Sequence, residues 1–128
     1  MEENLYAENI IMLYENPHNK KVIQNADTMF HATNPICGDD IRIYLKIKNG
    51  KIEDVGFDGE GCAISTASAS LITDSIKGKS ITEVEKMGAK DVIRLLHVDP
   101  GPARIKCAML PMKAVLSALF LYDQKQKK

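Results

Sequence analysis

The chain has 128 residues, with 17 basic and 17 acidic side chains, so its formal charge is zero. That balance excludes the strongly basic surface of a typical nucleic-acid binder. Hydrophobic residues at 45% and charged residues at 27% exclude disorder, and the length suits one domain, residues 1–128, able to close a core without staples.

The acidic start MEENLYAENI has no secretory leader pattern. No apolar run approaches the roughly 20 residues a membrane helix needs. Over NLYAENIIMLYENP, Leu5, Ile10, Met12 and Leu13 recur at mixed helical spacing until Pro17, which predicts a helix. The polar, turn-rich HNKKVIQNADTMFHATNP reads as an extended loop. Then Ile41, Ile43, Leu45 and Ile47 alternate with Arg42, Tyr44 and Lys46, the period of a half-buried strand. Asn49-Gly50 is a strong hairpin-turn signal, and Val55 and Phe57 continue the apolar face on the return strand. A two-residue turn pairs Ile47 with Ile52 but would set Asp54 opposite Leu45. One extra residue near Glu53, a bulge, restores the apolar register, facing Val55 to Leu45 and Phe57 to Ile43.

After Gly61, CAISTASASLITDSIKG places Ile64, Ala67, Leu71 and Ile76 at helical spacing, with Gly78 as the stop. Ser80 to Glu83 form a capping box that opens another helix. Gly88 interrupts it, KDVIRLLHV reads as a short further helix, and DPGP at 99–102 is a loop. CAMLPMKAVLSALFLYDQ forms the last helix, with Met112, Val115, Leu116, Leu119 and Phe120 as its apolar stripe. Pro111 is expected in or near the first turn, because deeper inside it breaks the hydrogen-bond ladder. The tail KQKK reads as a solvated end.

Three cysteines, an odd number on a chain without an export pattern, predict reduced thiols and a cytoplasmic location. The hairpin register carries Cys37 opposite Cys62 or its neighbour, where antiparallel partners lie about 4.5–5.5 Å apart. Cys62 falls at a helix N-terminus, where free N–H groups and the helix dipole favour negative charge. Cys107 opens the last helix, directly after Arg104 and Lys106. A turn at Gly38 aims the Asp39 carboxylate at the same spot. Three thiolates and a carboxylate make a four-ligand set for Zn²⁺ or iron at an exposed site, with the hard carboxylate the most exchangeable ligand. The C-x₂-C pairs of a closed zinc site are absent. Scattered cysteines also serve as small core hydrophobes, so the residues alone leave a shared site and an inert role both open.

Among other side chains, His97 reads as a helix-end residue, and His31 lies close enough in sequence to Cys37 to approach the site. Lys106 reads either as a thiolate partner or as a surface lysine, and Asp58–Glu60 as a solvated loop. Ser65, Ser68 and Ser70 carry no catalytic motif, and FDGEG is not a phosphate-binding loop.

NPICGD at 34–39, FDGEGCAISTASAS at 57–70 and PARIKCAML at 102–110, with ENP and IKGKSITEVEKM, resemble the U-type iron–sulfur cluster assembly scaffolds. That family comprises IscU, SufU and the N-terminal domain of NifU, and the likeness runs over nearly the whole chain. The resemblance implies an α+β fold, SufE/NifU-like, in which a small antiparallel sheet of about three strands is covered by helices, with a partly mobile N-terminal region. It implies Cys37, Asp39, Cys62 and Cys107 as metal or cluster ligands, the three cysteines as candidate persulfide acceptors, and Arg104 and Lys106 in supporting roles. It further implies that a cysteine desulfurase of the IscS or SufS type delivers persulfide sulfur. Iron joins, and a [2Fe–2S] cluster assembles and passes to apo iron–sulfur recipient proteins. No membrane or nucleic acid takes part, and a monomer or weak homodimer is expected.

The subfamily features are mixed. GEGCAIS and ARIKCA look like SufU, whose members act as zinc-dependent sulfur acceptors for their desulfurase; there Arg104 matches an arginine that helps exchange a zinc ligand on docking. SufU proteins usually carry an insertion between the second and third cysteines, which this chain lacks, as IscU does. Lys106 stands where IscU has a histidine, and DPGPARIK replaces the LPPVK chaperone-recognition motif of IscU. The leading expectation is a cluster scaffold, followed by a zinc-dependent sulfurtransferase and then a structural zinc domain used for protein contacts.

Overall fold

The computed structural model describes residues 2–35 and 38–126. Its elements in chain order are α1 (Glu2–Glu15), β1 (Thr28–Asn34), β2 (Asp39–Lys48), β3 (Lys51–Glu60), α2 (Ala63–Ile76), α3 (Ile81–Glu85), α4 (Ala89–Leu96) and α5 (Ile105–Gln126). The strands form one antiparallel sheet in the order β1-β2-β3, with α5 packed across β1 and β2 and α2 against β3, the expected α+β architecture.

The β2–β3 hairpin follows from its alternation. Ile41, Ile43, Leu45 and Ile47 are buried against the helices, while Arg42, Tyr44 and Lys46 are half-buried on the other face. Asn49 and Gly50 both take positive φ, 54° and 73°, the geometry a two-residue hairpin turn demands. Ile47 pairs with Ile52 but Lys46 pairs with Asp54, so Glu53 is the extra, bulged residue, and Val55 faces Leu45 and Phe57 faces Ile43. The register expected from the sequence is the one observed.

The stretch read as a loop after α1 is not all loop. Residues 28–34 form β1, paired to β2 from Thr28↔Leu45 to Asn34↔Asp39. Its buried positions are Thr28, Ala32 and Asn34, polar or small, so the apolar alternation that marks β2 is missing. Thr28 is satisfied inside the core by donating from Oγ1 to the Ala118 carbonyl of α5 at 2.8 Å. Ahead of β1, the chain is latched to α2 by Asn19 Nδ2, which donates to Thr73 Oγ1 and Asp74 Oδ1 at 2.9 and 2.8 Å. The Asn19 carbonyl in turn accepts the Phe57 N–H at 2.9 Å. At the other end of β3, Ile52 exchanges backbone hydrogen bonds with Lys79 and Gly78, so both ends of this sheet edge are covered, the usual defence against edge pairing.

The capping box of Ser80 and Glu83 forms as expected, and His97 ends α4 in the left-handed conformation at φ 62°. Four readings of the helices need correction. Pro111 is the seventh residue of α5, outside the first turn, because the helix begins at Ile105. A proline there removes one rung of the ladder, and the neighbouring helix contributes Ser68 Oγ, which donates to the Ala108 carbonyl at 2.6 Å. In α5 the buried stripe runs through Ala108, Met112, Val115 and Leu119, leaving Leu116 half-buried and Phe120 61% exposed. In α1, Ile10 and Leu13 are buried but Met12 faces outward; in α2, Ile72 is buried while Ile64 and Leu71 are only half-buried.

The sequence predicts no membrane span, yet α5 is long and apolar enough to cross one, with a mean hydropathy of 1.5 over its most apolar stretch. Half of that stretch is buried inside the protein, where α5 serves as the core helix.

Candidate metal centre

Asp39 opens β2, Cys62 caps α2, and Cys107 is the third residue of α5. One carboxylate oxygen and two sulfurs from these residues all lie within 4.8 Å of one another. Three segments far apart in sequence therefore meet at one end of the sheet. Cys37, the fourth expected ligand, lies outside the described residues. The chain on either side of it is close to this end, for Asn34 pairs with Asp39 and accepts the Gly38 N–H at 2.8 Å.

The local chemistry explains the convergence. Cys62 occupies an N-cap position in extended backbone, and its Sγ accepts the Ser65 N–H at 3.4 Å, the role a Ser or Asp side chain usually plays. The Cys62 N–H donates to Asp39 Oδ1 at 2.8 Å, and Ser65 Oγ lies 3.3 Å from the same oxygen. Gly61 permits this approach: a Cβ there would sit 2.2 Å from Ser65 Oγ and 3.1 Å from Asp39 Oδ1. Both α2 and α5 begin at the site, so the positive ends of two helix dipoles face the sulfurs.

The site is less open than its sequence suggests. Asp39 and Cys107 are each only 2% exposed, and Cys62 is half-buried. Access runs through a cavity of about 330 Å³ lined by Cys62, Ala103, Arg104 and Cys107. Arg104 thus reaches the site, whereas Lys106 is exposed and does not line the cavity. His31 does not join the cluster; it sits on β1, exposed, and its Nε2 is paired with Asp40.

The donors fit a metal. Two soft sulfurs and one carboxylate match zinc or iron. Asp39 Oδ2 is buried and has no hydrogen-bond partner among the described residues. A buried acceptor left in that state costs roughly 1–3 kcal/mol, a cost that a bound cation removes. Ser65 and Gly61 were not singled out as site residues from the sequence. The available signal was the serine three residues after an N-cap cysteine, the same spacing as in the Ser80–Glu83 box.

The model of the NifU-like N-terminal domain matches residues 5–128. The zinc-dependent sulfurtransferase SufU of Bacillus subtilis is 39% identical over 130 aligned residues, covering 88% of each chain. The iron–sulfur cluster assembly enzyme IscU of Drosophila melanogaster is 38% identical, covering 97% of this chain and 82% of its own. Among solved structures, a scaffold protein for the SUF system from Fervidobacterium islandicum superposes with a TM-score of 0.76 at 31% identity, covering 88% of this chain and 94% of its own. The chain belongs to the NifU-like N-terminal domain family, the U-type scaffolds of iron–sulfur cluster assembly.

Proposed function

We propose that this chain is a cytoplasmic iron–sulfur cluster scaffold, with residues 1–128 acting as one domain. It accepts sulfur from a cysteine desulfurase of the IscS or SufS type, binds iron, assembles a [2Fe–2S] cluster and passes it to apo recipient proteins. The carrying observation is the convergence of one Asp39 carboxylate oxygen with the Cys62 and Cys107 sulfurs within 4.8 Å, together with a buried Asp39 Oδ2 that no described group satisfies. Cys37 completes the ligand set in this reading.

Sulfur arrives as a persulfide on the desulfurase. A scaffold thiolate attacks its outer sulfur, a new S–S bond forms on the scaffold, the old one breaks, and the desulfurase thiolate leaves. Cys62 is the better placed of the two described cysteines, since it is half-buried while Cys107 is buried. Arg104, which lines the same cavity, carries a permanent positive charge that favours an incoming anion. Converting that outer sulfur to cluster sulfide takes two electrons from an external thiol or iron–sulfur electron carrier. Iron and sulfide are then cargo held by the cysteine sulfurs, and the harder Asp39 oxygen is the ligand most readily surrendered.

Anaerobic reconstitution with ferrous iron, cysteine, a desulfurase and a thiol reductant tests this. Charge-transfer absorption and about two irons per cluster are expected, with transfer to an apo ferredoxin. A colourless, iron-free product overturns the reading.

A second reading, a SufU-like zinc-dependent sulfurtransferase, is favoured by Arg104 on the cavity and by the likeness to the Bacillus subtilis protein. Cys37, Asp39, Cys62 and Cys107 would hold the zinc, which when bound keeps thiols deprotonated. Strong acceleration of the desulfurase by the zinc form without any cluster, lost in Arg104→Ala with zinc retained, selects this reading over the first.

A further inference from the structure

Ser65 is buried, with no exposed surface, and touches two of the site's ligands at once. Its backbone N–H donates to Cys62 Sγ at 3.4 Å, and its hydroxyl lies 3.3 Å from Asp39 Oδ1 and 3.1 Å from the Cys62 carbonyl. The hydroxyl has one proton for these two acceptors. Asp39 Oδ1 already receives the Cys62 N–H, so its two carboxylate oxygens are unequal: Oδ1 is committed to the protein, and Oδ2 has no described partner. From this asymmetry we infer that Ser65 is a positioning residue which fixes Asp39 as a one-oxygen ligand, presenting Oδ2 alone to the metal.

The inference rests on the metal-binding reading above and assigns a residue that reading does not use. A carboxylate anchored through Oδ1 cannot swing both oxygens onto a cation, so it binds through one bond and leaves by breaking one bond. Ser65 also links the carboxylate to the cap sulfur through one side chain and its own amide. Gly61 belongs to the same device, because any Cβ there would lie 2.2 Å from Ser65 Oγ and push the hydroxyl away from Asp39.

The test uses Co²⁺ alone as the probe on the full chain, with affinity read by chelator competition and geometry by visible absorption. Wild-type protein is expected to bind one Co²⁺ with sulfur-to-cobalt charge transfer and the intense bands of a four-coordinate site. Ser65→Ala, which keeps the helix, is expected to bind Co²⁺ about tenfold more weakly or worse, the usual effect of losing a group that orients a ligand, with altered visible bands and little change in Tm. Gly61→Ala is expected to reproduce that loss through its clash. Wild-type affinity and bands in Ser65→Ala overturn the role of Ser65 while leaving the metal site standing. Wild-type protein that takes up no Co²⁺ overturns the metal reading and this inference with it.

Discussion

The Cys62 amide donates to Asp39 Oδ1 at 2.8 Å, tying the first residue of β2 to the cap of α2. Asp39 is therefore held in place before any metal arrives, with its second oxygen buried and lacking a described partner. Asp39→Ala removes both the proposed exchangeable ligand and the buried acceptor. Cluster transfer to an apo ferredoxin is expected to slow, because release then lacks its labile bond; transfer at the wild-type rate would show that Asp39 has no part in release.

Single replacement of Cys37, Cys62 or Cys107 by Ser is expected to abolish stable zinc or iron binding, since a hydroxyl is a poor substitute for a thiolate ligand. Metal analysis of anaerobically purified variants checks this. A variant that keeps full occupancy identifies a cysteine outside the ligand set.

Asp54 on β3 accepts hydrogen bonds from Lys21 Nζ at 3.0 and 3.1 Å and pairs with Lys77 at 3.4 Å. Partial burial pushes its carboxyl pKa up, but the bonds from Lys21 and the Val55 N–H, the Lys21 charge and Lys77 outweigh it, leaving the pKa below its ordinary value of 3.8. A carboxyl with a depressed folded-state pKa stabilises the fold above its unfolded pKa and loses that contribution as pH falls through the folded value. Its side chain is 32% exposed, so Asp54→Asn is expected to cost only about 0.5 kcal/mol at pH 7. The gap to wild type should close as the pH drops below 3.8. Urea unfolding at neutral and acidic pH measures it, and a gap that persists in acid means that charge is not its source.

Gly56 has no room for a side chain: a Cβ would lie 2.4 Å from the Lys21 carbonyl oxygen. Gly56→Ala is expected to cost about 1–3 kcal/mol by prying the 19–21 segment from β3. The Phe57 amide, which donates to Asn19, should then exchange faster with solvent. Unchanged stability would mean that this segment is not held against the strand.

The hairpin was legible down to its bulge because Ile41 to Ile47 alternate strictly and Asn49-Gly50 admits one turn, so a single residue had to be spare. β1 was illegible because its inward side chains include Thr28 and Asn34, whose burial depends on partners elsewhere in the chain; Thr28 needs the Ala118 carbonyl of α5. Pro111 misled because the last helix begins at Ile105, two residues ahead of Cys107, which puts the proline in the second turn rather than the first. Asp39, Cys62 and Cys107 could be named from their motifs, and the placement of Asp39 on one strand and Cys62 just past the other, at the open end of one hairpin, made their meeting foreseeable. The burial of Asp39 and Cys107 was not foreseeable, since it arises from α2 and α5 closing over that end of the sheet. Ser65 lay hidden among the small residues of α2, which look interchangeable until one of them is found against a carboxylate.

Asp39, Cys62 and Cys107 come from the sheet and from each of its two core helices, so whatever they grip also acts as a reversible staple across the whole body. In the proposed scaffold role, a ligand at a hundred times its dissociation constant adds about 2.7 kcal/mol to folding stability, which delivery of the cargo forfeits. The emptied protein is consequently the looser one, and its stiffness becomes a gauge of whether it is full.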